Sequence, residues 1–453
     1  MPLQSSKTRR WSGWFCWIYC LHSFLITCWV SSLLAAPAKP PNILLIISDD
    51  QAWNDYGFMG HPSIRTPRLD RLAAESACFT RGYVPSSLCC PSLASILTGL
   101  PPQRHRVVCN DPPRPPSIPA SSFYRSPEFL AGRDRLAGFI EAVPTLPKSL
   151  ASRGYQSFQS GKWWQGNYSH GGFTQGMTRG ERHGDEGLII GRTTLEPIDS
   201  FVSQAEHDGK PWMVWYAPMM PHDPHTPPER LLAKYRTIAP SLHVARYWAM
   251  VEWFDETCGH LLDMLDRKGL AENTVVAYVA DNGWITDPIT GRFASRSKQS
   301  PYDGGLRTPI LLRWPSRIKP FRDDTHPVSS LDLMPTLLEA AGLPKPAGLT
   351  GISLLQARAF RQRTAIHGAC FTHNGVDLDH PESGLRWRWI IDGPWKLILP
   401  ASWNEPNQVP ELYHLMKDPG ELHNLATLHP GRVHSLRRKA DREWNPQPPL
   451  IRN

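Results

Sequence analysis

Residues 42–50 read NILLIISDD, a short apolar run that ends in two carboxylates. A run of this kind, without polar alternation, is typical of a strand buried on both faces, as in a parallel sheet covered by helices. Similar runs lie at residues 155–159, 211–216, 274–279 and 308–314, with helical patterns between them. This alternation predicts an α/β fold with a large, mainly parallel sheet sandwiched by helices.

Polar side chains follow four of these runs, at the point where each predicted strand ends. They are Asp49 and Asp50, then Lys162, then His222 and His225, and finally Asp281 and Asn282. In an open α/β sheet the ligand site lies beyond the carboxyl ends of the strands. We therefore expect these side chains to converge on one site.

Two of the strand ends together offer a ligand set made only of oxygen atoms. Its members are Asp49, Asp50, Asp281 and Asn282. Carboxylate and amide oxygens suit Ca²⁺ or Mg²⁺, whereas zinc prefers nitrogen or sulfur. A zinc site on His222 and His225 is the alternative, but no third nitrogen or sulfur ligand is indicated nearby. The two acidic pairs favour a hard divalent cation.

Residues 87–99 read SLCCPSLASILTG and predict a helix that begins near Cys89. Pro91 suits the first turn of a helix, because its missing N–H costs nothing there. Cys89 then lies at a helix N-terminus, where negative charge and anionic ligands are stabilised. A pair of buried structural cysteines is the alternative. The proline-rich residues 101–126 that follow predict a surface loop, with substrate gating as the alternative.

The whole chain has 453 residues, which predicts a large domain with a smaller one appended. Its formal charge of +8 favours an anionic substrate. It has no Lys/Arg block or nucleic-acid motif, so we expect no nucleic-acid partner. A break near Pro346 predicts a domain over residues 40–345 and a C-terminal α+β subdomain over residues 346–453. A hairpin pattern around Asp392-Gly393 predicts a small antiparallel sheet in that subdomain.

The first residues have the pattern of an export signal. A positive start at Lys7, Arg9 and Arg10 precedes an apolar stretch over residues 11–34, and small residues follow it. We expect a signal peptide over residues 1–36, a periplasmic or extracellular mature protein, and no stable membrane span after cleavage. The apolar stretch is long enough that an uncleaved N-terminal anchor is the alternative.

The Cys89 stretch resembles the sulfatase signature, in which a maturation enzyme reads Cys-X-Pro-Ser-Arg and converts the cysteine to formylglycine. Further segments similar to that family occur in the same order along nearly all of the mature chain. They are residues 66–73, Gly161-Lys162-Trp163, Pro221-His222-Asp223-Pro224, Asp281-Asn282-Gly283, Lys298, residues 302–307, residues 332–336 and residues 411–415. The chain thus resembles the formylglycine-dependent, arylsulfatase-like members of the alkaline phosphatase superfamily.

This resemblance implies an alkaline phosphatase-like fold and the hydrolysis of sulfate esters, with sulfated small molecules or glycans as substrates. The implied partner in maturation is the formylglycine-generating enzyme. The implied ligands of the divalent cation, usually Ca²⁺ with Mg²⁺ as an alternative, are Asp49, Asp50, Asp281, Asn282 and the modified Cys89. Hydrated formylglycine would supply one hydroxyl that attacks sulfur and another that drives sulfate release. Lys162 and Lys298 would bind the sulfuryl oxygens, and His222 would assist the leaving oxygen.

Two positions depart from the family pattern. Leu93 stands where an arginine is expected, and Trp164 stands where the family places a histidine that acts as a base. A working sulfatase would need a base from elsewhere, for which His105 and His170 are candidates. The alternatives are a phosphate or phosphonate ester hydrolase of the same superfamily and a non-catalytic paralogue that binds sulfated glycans. The intact acidic set and both lysines favour the working sulfatase.

Overall fold

Strand β1 (Asn42–Ser48) is buried along its whole length in this computed structural model. Its alternate side chains enter two separate cores: Ile43 and Leu45 pack on one face of the sheet, and Leu44 and Ile46 pack on the other. A strand with an apolar layer on each side has no polar face. That geometry explains why its sequence is an uninterrupted apolar run.

The structure describes residues 39–449, so the leader predicted over residues 1–36 lies outside the described residues. The other strands are β2 (Ala77–Phe79), β3 (Gly82–Tyr83), β4 (Gln156–Gly161), β5 (Gln175–Gly176), β6 (Trp212–Ala217), β7 (Thr274–Ala280), β8 (Ile310–Arg313), β9 (Phe321–Asp323), β10 (Val328–Ser329), β11 (Ala365–Phe371), β12 (Leu385–Asp392), β13 (Trp395–Pro400) and β14 (Glu411–His414). The α-helices are α1 (Pro67–Ala74), α2 (Cys89–Thr98), α3 (Pro102–His105), α4 (Ala120–Phe123), α5 (Pro127–Glu141), α6 (Leu146–Ala151), α7 (Glu196–His207), α8 (Glu229–Tyr235), α9 (Leu242–Arg267), α10 (Asp303–Leu306), α11 (Leu333–Ala340), α12 (Ala357–Gln362) and α13 (Pro430–Glu443).

The central sheet has eight strands in the order β5-β4-β6-β1-β7-β8-β2-β9. Strands β5, β4, β6, β1 and β7 are parallel neighbours. Strand β8 runs antiparallel to both of its neighbours, β7 and β2. The prediction of a large, mainly parallel sheet is therefore confirmed, and its parallel part brings the ends of β1, β4, β6 and β7 to one edge.

Two layers of helices cover this sheet. Helices α1, α7 and α9 contribute apolar side chains to the core on one face, and α2, α5, α6 and α11 contribute to the core on the other. The ten residues of α2 are all buried, because α3 and α11 pack against this helix. The predicted helical layers are present on both faces.

The C-terminal part contains a second sheet with the order β11-β12-β13-β14, in which all neighbours are antiparallel. Strands β12 and β13 form the predicted hairpin, with Asp392 opposite Trp395. Helix α13 packs Leu436 and Ala440 against this sheet. The small antiparallel subdomain is confirmed as part of the fold. Among residues 39–449, no helix combines the length and apolar character that crossing a membrane requires.

Candidate active site

The ends of three parallel strands are tied together just beyond the sheet. The backbone N–H of Asp281 donates to the carbonyl of Ser48 at 2.8 Å, and the N–H of Asp49 donates to the carbonyl of Met220 at 3.0 Å. Asp50 follows in the left-handed region, at φ 62°. A non-glycine residue adopts this conformation only where its surroundings impose it. The turn after β1 thus places both of its carboxylates at the sheet edge.

Four oxygen-bearing side chains meet at this edge and are fully buried: Asp49, Asp50, Asp281 and Asn282. Asn282 Nδ2 donates to Asp50 Oδ1 at 2.6 Å, and the Asp50 N–H donates to Asp281 Oδ1 at 3.0 Å. Asp49 Oδ2, Asp281 Oδ2 and Asn282 Oδ1 have no hydrogen-bond partner within the described chain. Buried oxygens without partners are costly unless a ligand satisfies them. Their chemistry fits a hard divalent cation.

Cys89 lies at the first position of α2 and faces the same cluster. One ligand atom each from Cys89, Asp49, Asp50 and His222 lies within 4.8 Å of the others. Burial raises the pKa of the Cys89 thiol to about 12, so the unmodified side chain is a neutral thiol at pH 7. The predicted reactive residue and the predicted acidic set are therefore brought together.

Two buried lysines supply positive charge to the cluster. Lys162 Nζ lies 2.6 Å from Asp49 Oδ1, and Lys298 Nζ lies 2.6 Å from Asp50 Oδ2. Burial alone would lower the pKa of each ammonium, but Asp49 and Asp50 respectively raise both values above the ordinary one. Burial alone would also raise the pKa of Asp50, yet Lys298 holds it below its usual range. Asp50 and the two lysines are thus held in their charged forms, whereas burial raises the pKa of Asp281 well above its usual range.

His222 and His225 occupy different surroundings. His222 Nε2 lies 3.4 Å from Asp50 Oδ2, while its Nδ1 lies 2.5 Å from the carbonyl oxygen of Asp223. Because that carbonyl only accepts, the proton of neutral His222 lies on Nδ1. The ring of His225 packs instead against Tyr247 and Trp284, beside a separate cavity. His222 is therefore the histidine of the cluster.

The structure directs the two candidate replacement bases to other partners. His105 is fully buried, with Nε2 at 2.9 Å from Ser95 Oγ and Nδ1 accepting the Val107 N–H at 3.1 Å. His170 Nδ1 lies 3.0 Å from the carbonyl of Gln165, and the ring is partly exposed. The contacts of His105 hold the middle of α2, whereas His170 contacts its own turn and, through Nε2 at 3.4 Å, Glu141 at the end of α5.

Sequence reasoning missed a polar group beside Cys89. Residues 107–112 are buried, so the prediction of a surface loop over residues 101–126 is wrong for this part. Asn110 Oδ1 accepts the N–H of Cys90 at 3.0 Å at the start of α2. The neighbouring Asp111 carboxylate binds Arg182, which precedes His183. No motif marks these residues, because they come together from distant parts of the chain.

This sheet, with an oxygen-rich cluster and two lysines at the ends of its parallel strands, defines an α/β enzyme that acts on an anionic ester. The sulfatase family model matches residues 41–343, so the chain belongs to the sulfatase family and is a sulfuric ester hydrolase. A second family model, N-sulphoglucosamine sulphohydrolase, C-terminal, matches residues 291–438.

Similar proteins agree with this assignment. Human arylsulfatase A is 29% identical over 86% of this chain and 84% of its own length. The N-acetylgalactosamine-6-sulfatase of Canis lupus familiaris is 27% identical over 85% of this chain and 82% of its own length. A protein solved in complex with its substrate D-glucosamine-2-N,6-O-disulfate has the same fold, with a TM-score of 0.69 and 18% identity, over 89% of this chain and 97% of that one.

Proposed function

We propose that this chain hydrolyses sulfate esters of carbohydrates through a formylglycine formed from Cys89 and a divalent cation. Ca²⁺ is the expected ion and Mg²⁺ is the alternative. The observation that carries the proposal is the group of three buried oxygens without hydrogen-bond partners, on Asp49, Asp281 and Asn282, in the cluster that Cys89 faces. This arrangement combines a cation-binding set with a reactive position at a helix N-terminus.

In this proposal Asp49, Asp50, Asp281 and Asn282 hold the cation together with the modified Cys89. When bound, the cation lowers the pKa of a coordinated hydroxyl and neutralises negative charge on the sulfate oxygens. When formed, formylglycine supplies the hydroxyl nucleophile that a neutral, buried thiol does not. The oxygen ligands and their unsatisfied atoms support this assignment.

The remaining groups of the cluster bind the sulfate and move a proton. Lys162 and Lys298 place two ammonium groups where the sulfuryl oxygens would bind, and both stay charged because carboxylates surround them. His222 carries a proton on Nδ1, so Nε2 is the atom that would take up a second proton from solvent and donate it to the leaving oxygen. His222 is therefore assigned to the leaving group, and the two lysines to the sulfate.

The carbohydrate part of the proposal draws on the similar proteins and on the surface beside the cluster. One relative is named for a sulfated aminosugar, and one structural neighbour was solved with a disulfated glucosamine. In this chain a cavity of about 560 Å³ is lined by three arginines, Arg236, Arg246 and Arg292, and by the carboxylates Asp223 and Glu229. The excess of arginines over carboxylates suits a sulfated sugar more than a neutral one.

The test is to express the chain with a competent formylglycine-generating enzyme. Peptide mass of the purified protein should show an aldehyde at Cys89, and sulfate release from an aryl sulfate should depend on that aldehyde and stop with a chelator. Cys89→Ala should abolish turnover, whereas Cys90→Ala, at the next position of α2, should retain most of it. A thiol at Cys89 in an active enzyme would exclude the formylglycine mechanism.

The same preparation separates the alternative functions. If the protein hydrolyses aryl phosphates or phosphonates in preference to aryl sulfates, its substrate is a different class of ester. Binding of sulfated polysaccharide without turnover, with the aldehyde present, would make it a glycan-binding paralogue. Either outcome would replace the proposed activity.

Export is a second part of the proposal. The basic start and apolar stretch of residues 1–36 support a cleaved leader, with a mature protein that begins near Pro37. Intact mass and N-terminal sequencing of the exported protein would show this start. A full-length chain recovered with membranes would instead support the uncleaved anchor.

A further inference from the structure

Trp164 follows Lys162 by two residues and packs against Arg182 and His183. The indole is 1% exposed, and its Nε1 has no hydrogen-bond partner in residues 39–449. Leu93, on α2, is buried and apolar as well. Leu93 has no hydrogen-bond donor on its side chain and Trp164 has only its neutral Nε1–H, so neither side chain brings positive charge to a sulfate. If the chain binds a sulfate ester beside Cys89, positive charge on this side must come from other groups.

A loop over residues 177–187 crosses this place and is fixed there. The N–H of Trp163 donates to the carbonyl of His183 at 3.0 Å. The Asp185 carboxylate accepts the N–H groups of Arg179, Gly180 and Glu181, which closes the loop on itself. A Cβ atom at Gly184 would lie 2.6 Å from the carbonyl of Gly161, so the loop lies directly on the end of β4. Its side chains are therefore held against the segment that carries Lys162.

Arg182 on this loop is oriented by an ion pair and by two aromatic rings, those of Trp164 and Tyr124. Its guanidinium makes a two-point pair with the buried Asp111 carboxylate, at 2.8 and 2.7 Å, and lies 4.7 Å from the centre of the Trp164 ring. It remains 28% exposed, so a ligand can reach it. A flat indole is a better support for a guanidinium than a histidine ring.

His183 lies between Arg182 and the cluster. Its ring centre is 4.8 Å from that of Trp164 and 6.1 Å from that of His222. Arg182 Nη1 lies 2.8 Å from His183 Nε2, and a guanidinium can only donate, so the proton of His183 lies on Nδ1. Nδ1 makes no hydrogen bond within the described part of the chain. Burial, and next the charge of Lys162, lower the pKa of His183 to about 2, which keeps the ring neutral.

We propose that Arg182 and His183 form a sulfate-binding pair beside the cluster that contains Lys162 and His222. Arg182 contributes charge, and the Nδ1–H of His183 donates a hydrogen bond to a sulfate oxygen. Neither residue makes or breaks a covalent bond. The inference rests on the proposed function, since it concerns the sulfate group of the same substrate. In this arrangement the Trp164 ring packs against the Arg182 guanidinium and holds it in position.

The binding test uses inorganic sulfate as the probe and the chain with an unmodified Cys89, in the presence of Ca²⁺. Calorimetry should show that Arg182→Gln raises the sulfate Kd about tenfold or more, because a charged hydrogen bond is lost. His183→Leu should raise it severalfold. His183→Asn, whose amide N–H replaces that of Nδ1, should keep most of the affinity. Arg179→Gln is the matched control, since Arg179 lies on the same loop with its side chain 75% exposed.

Activity of the matured enzyme gives a second measurement. Both Arg182→Gln and His183→Leu should raise KM for a sulfate ester more than they lower kcat, while Arg179→Gln changes neither. The thermal midpoint of each variant checks its fold. Should Arg182→Gln not fold, Arg182→Lys retains the charge but loses the two-point pair with Asp111, and a weakened sulfate affinity is expected there too.

The outcomes separate this inference from the proposed function. Unchanged sulfate affinity in both Arg182→Gln and His183→Leu, or no sulfate binding by the parent chain, overturns the inference. A matured parent enzyme that binds sulfate through this pair but releases none from esters overturns the proposed function alone. Equal loss in Arg179→Gln would show that the loop acts only through its fold, and this also overturns the inference.

Discussion

Lys162 lies between two carboxylates in a region that water does not reach. Its Nζ is 2.6 Å from Asp49 Oδ1 and 3.7 Å from Asp281 Oδ2, and the side chain is 1% exposed. Lys162→Met leaves two buried carboxylates facing each other without an intervening positive charge. We expect the free energy of unfolding, measured by chemical denaturation with a chelator present, to fall by about 3–5 kcal/mol.

A surface ion pair provides the control for this substitution. Lys268 Nζ lies 3.3 Å from Asp199 Oδ1, with both side chains partly exposed. Lys268→Met should cost less than about 1 kcal/mol, because solvent screens such a pair. Added Ca²⁺ should restore part of the stability of Lys162→Met and none of that of Lys268→Met. Equal losses in the two variants would mean that Lys162 is not the compensating charge.

His105 predicts a pH dependence of stability. Burial lowers its pKa to about 3, below the unfolded value near 6.5, because the charged ring would lose its hydration in this fully buried position. The stabilising contribution is therefore complete above pH 6.5 and is lost progressively as the pH falls towards 3. Between pH 7 and pH 5 the loss should be about 2 kcal/mol.

The measurement is the free energy of unfolding at several pH values for the parent chain and for His105→Gln. The parent should lose more stability than the variant on going to pH 5, by the stated amount. His170→Gln, which alters a partly exposed ring, should retain the parental slope. If the stability of His105→Gln falls with pH as steeply as that of the parent chain, other groups cause the loss of stability in acid.

At the scale of the elements, the end of β4 depends on one glycine. Gly161 has φ +80°, and a Cβ atom there would lie 1.9 Å from the carbonyl oxygen of Ala217, the last residue of β6. Gly161→Ala must therefore separate the two strand ends and displace the following Lys162. We expect a loss of more than about 3 kcal/mol in the free energy of unfolding, because strain and a backbone clash add.

Gly209 separates these two contributions. It also has a left-handed backbone, at φ +65°, but a Cβ atom there would meet nothing within 4 Å. Gly209→Ala should cost only about 1 kcal/mol, from backbone strain alone. Chemical denaturation of both variants gives the comparison, and sulfate release should survive only in Gly209→Ala. Similar costs at the two positions would show that the close approach of β4 and β6 can relax.

Sequence-based prediction was most accurate for individual strands and helices. Strand β1 could be identified because a strand buried on both faces leaves a continuous apolar run, and the polar residues after it follow from chain direction in a parallel sheet. Helix α2 could be placed because Pro91 fits its first turn. Residues 107–112 were misassigned, because their burial depends on contacts with the C-terminal sheet and α2 that no local pattern records.

At the scale of the whole molecule, the cluster could be predicted where each strand end contributes its own motif. The ion pair between Arg182 and Asp111 could not be predicted, since the two residues are 71 positions apart. Each of them, taken alone, has the pattern of a charged surface residue. The packing of Trp164 against Arg182 could not be predicted either. The sequence shows that a tryptophan replaces the expected histidine, but not that a loop lies over its indole. Periodicity reports burial within an element, whereas such pairs depend on how loops pack across elements.

The proposed cation links distant parts of the chain, so its effect belongs to the whole molecule. Asp50 and Asp281 are 231 positions apart and come together only in the folded state. A cation that binds there and not to the unfolded chain raises the free energy of unfolding, by about 2.7 kcal/mol at a hundredfold its Kd. We expect Ca²⁺ to raise the thermal midpoint at constant ionic strength, and a chelator to reverse the shift.

Asp281→Asn should remove most of this Ca²⁺ shift, because one of the two unpartnered carboxylate oxygens becomes part of a neutral amide. Asp263→Asn is the control: that carboxylate lies at the surface, 3.4 Å from Arg68 Nη1, and its loss should leave the shift intact. A shift that persists in Asp281→Asn would place the bound Ca²⁺ at another position. No shift in the parent chain would remove the cation from the proposed mechanism, and the three unpartnered oxygens would then need another ligand.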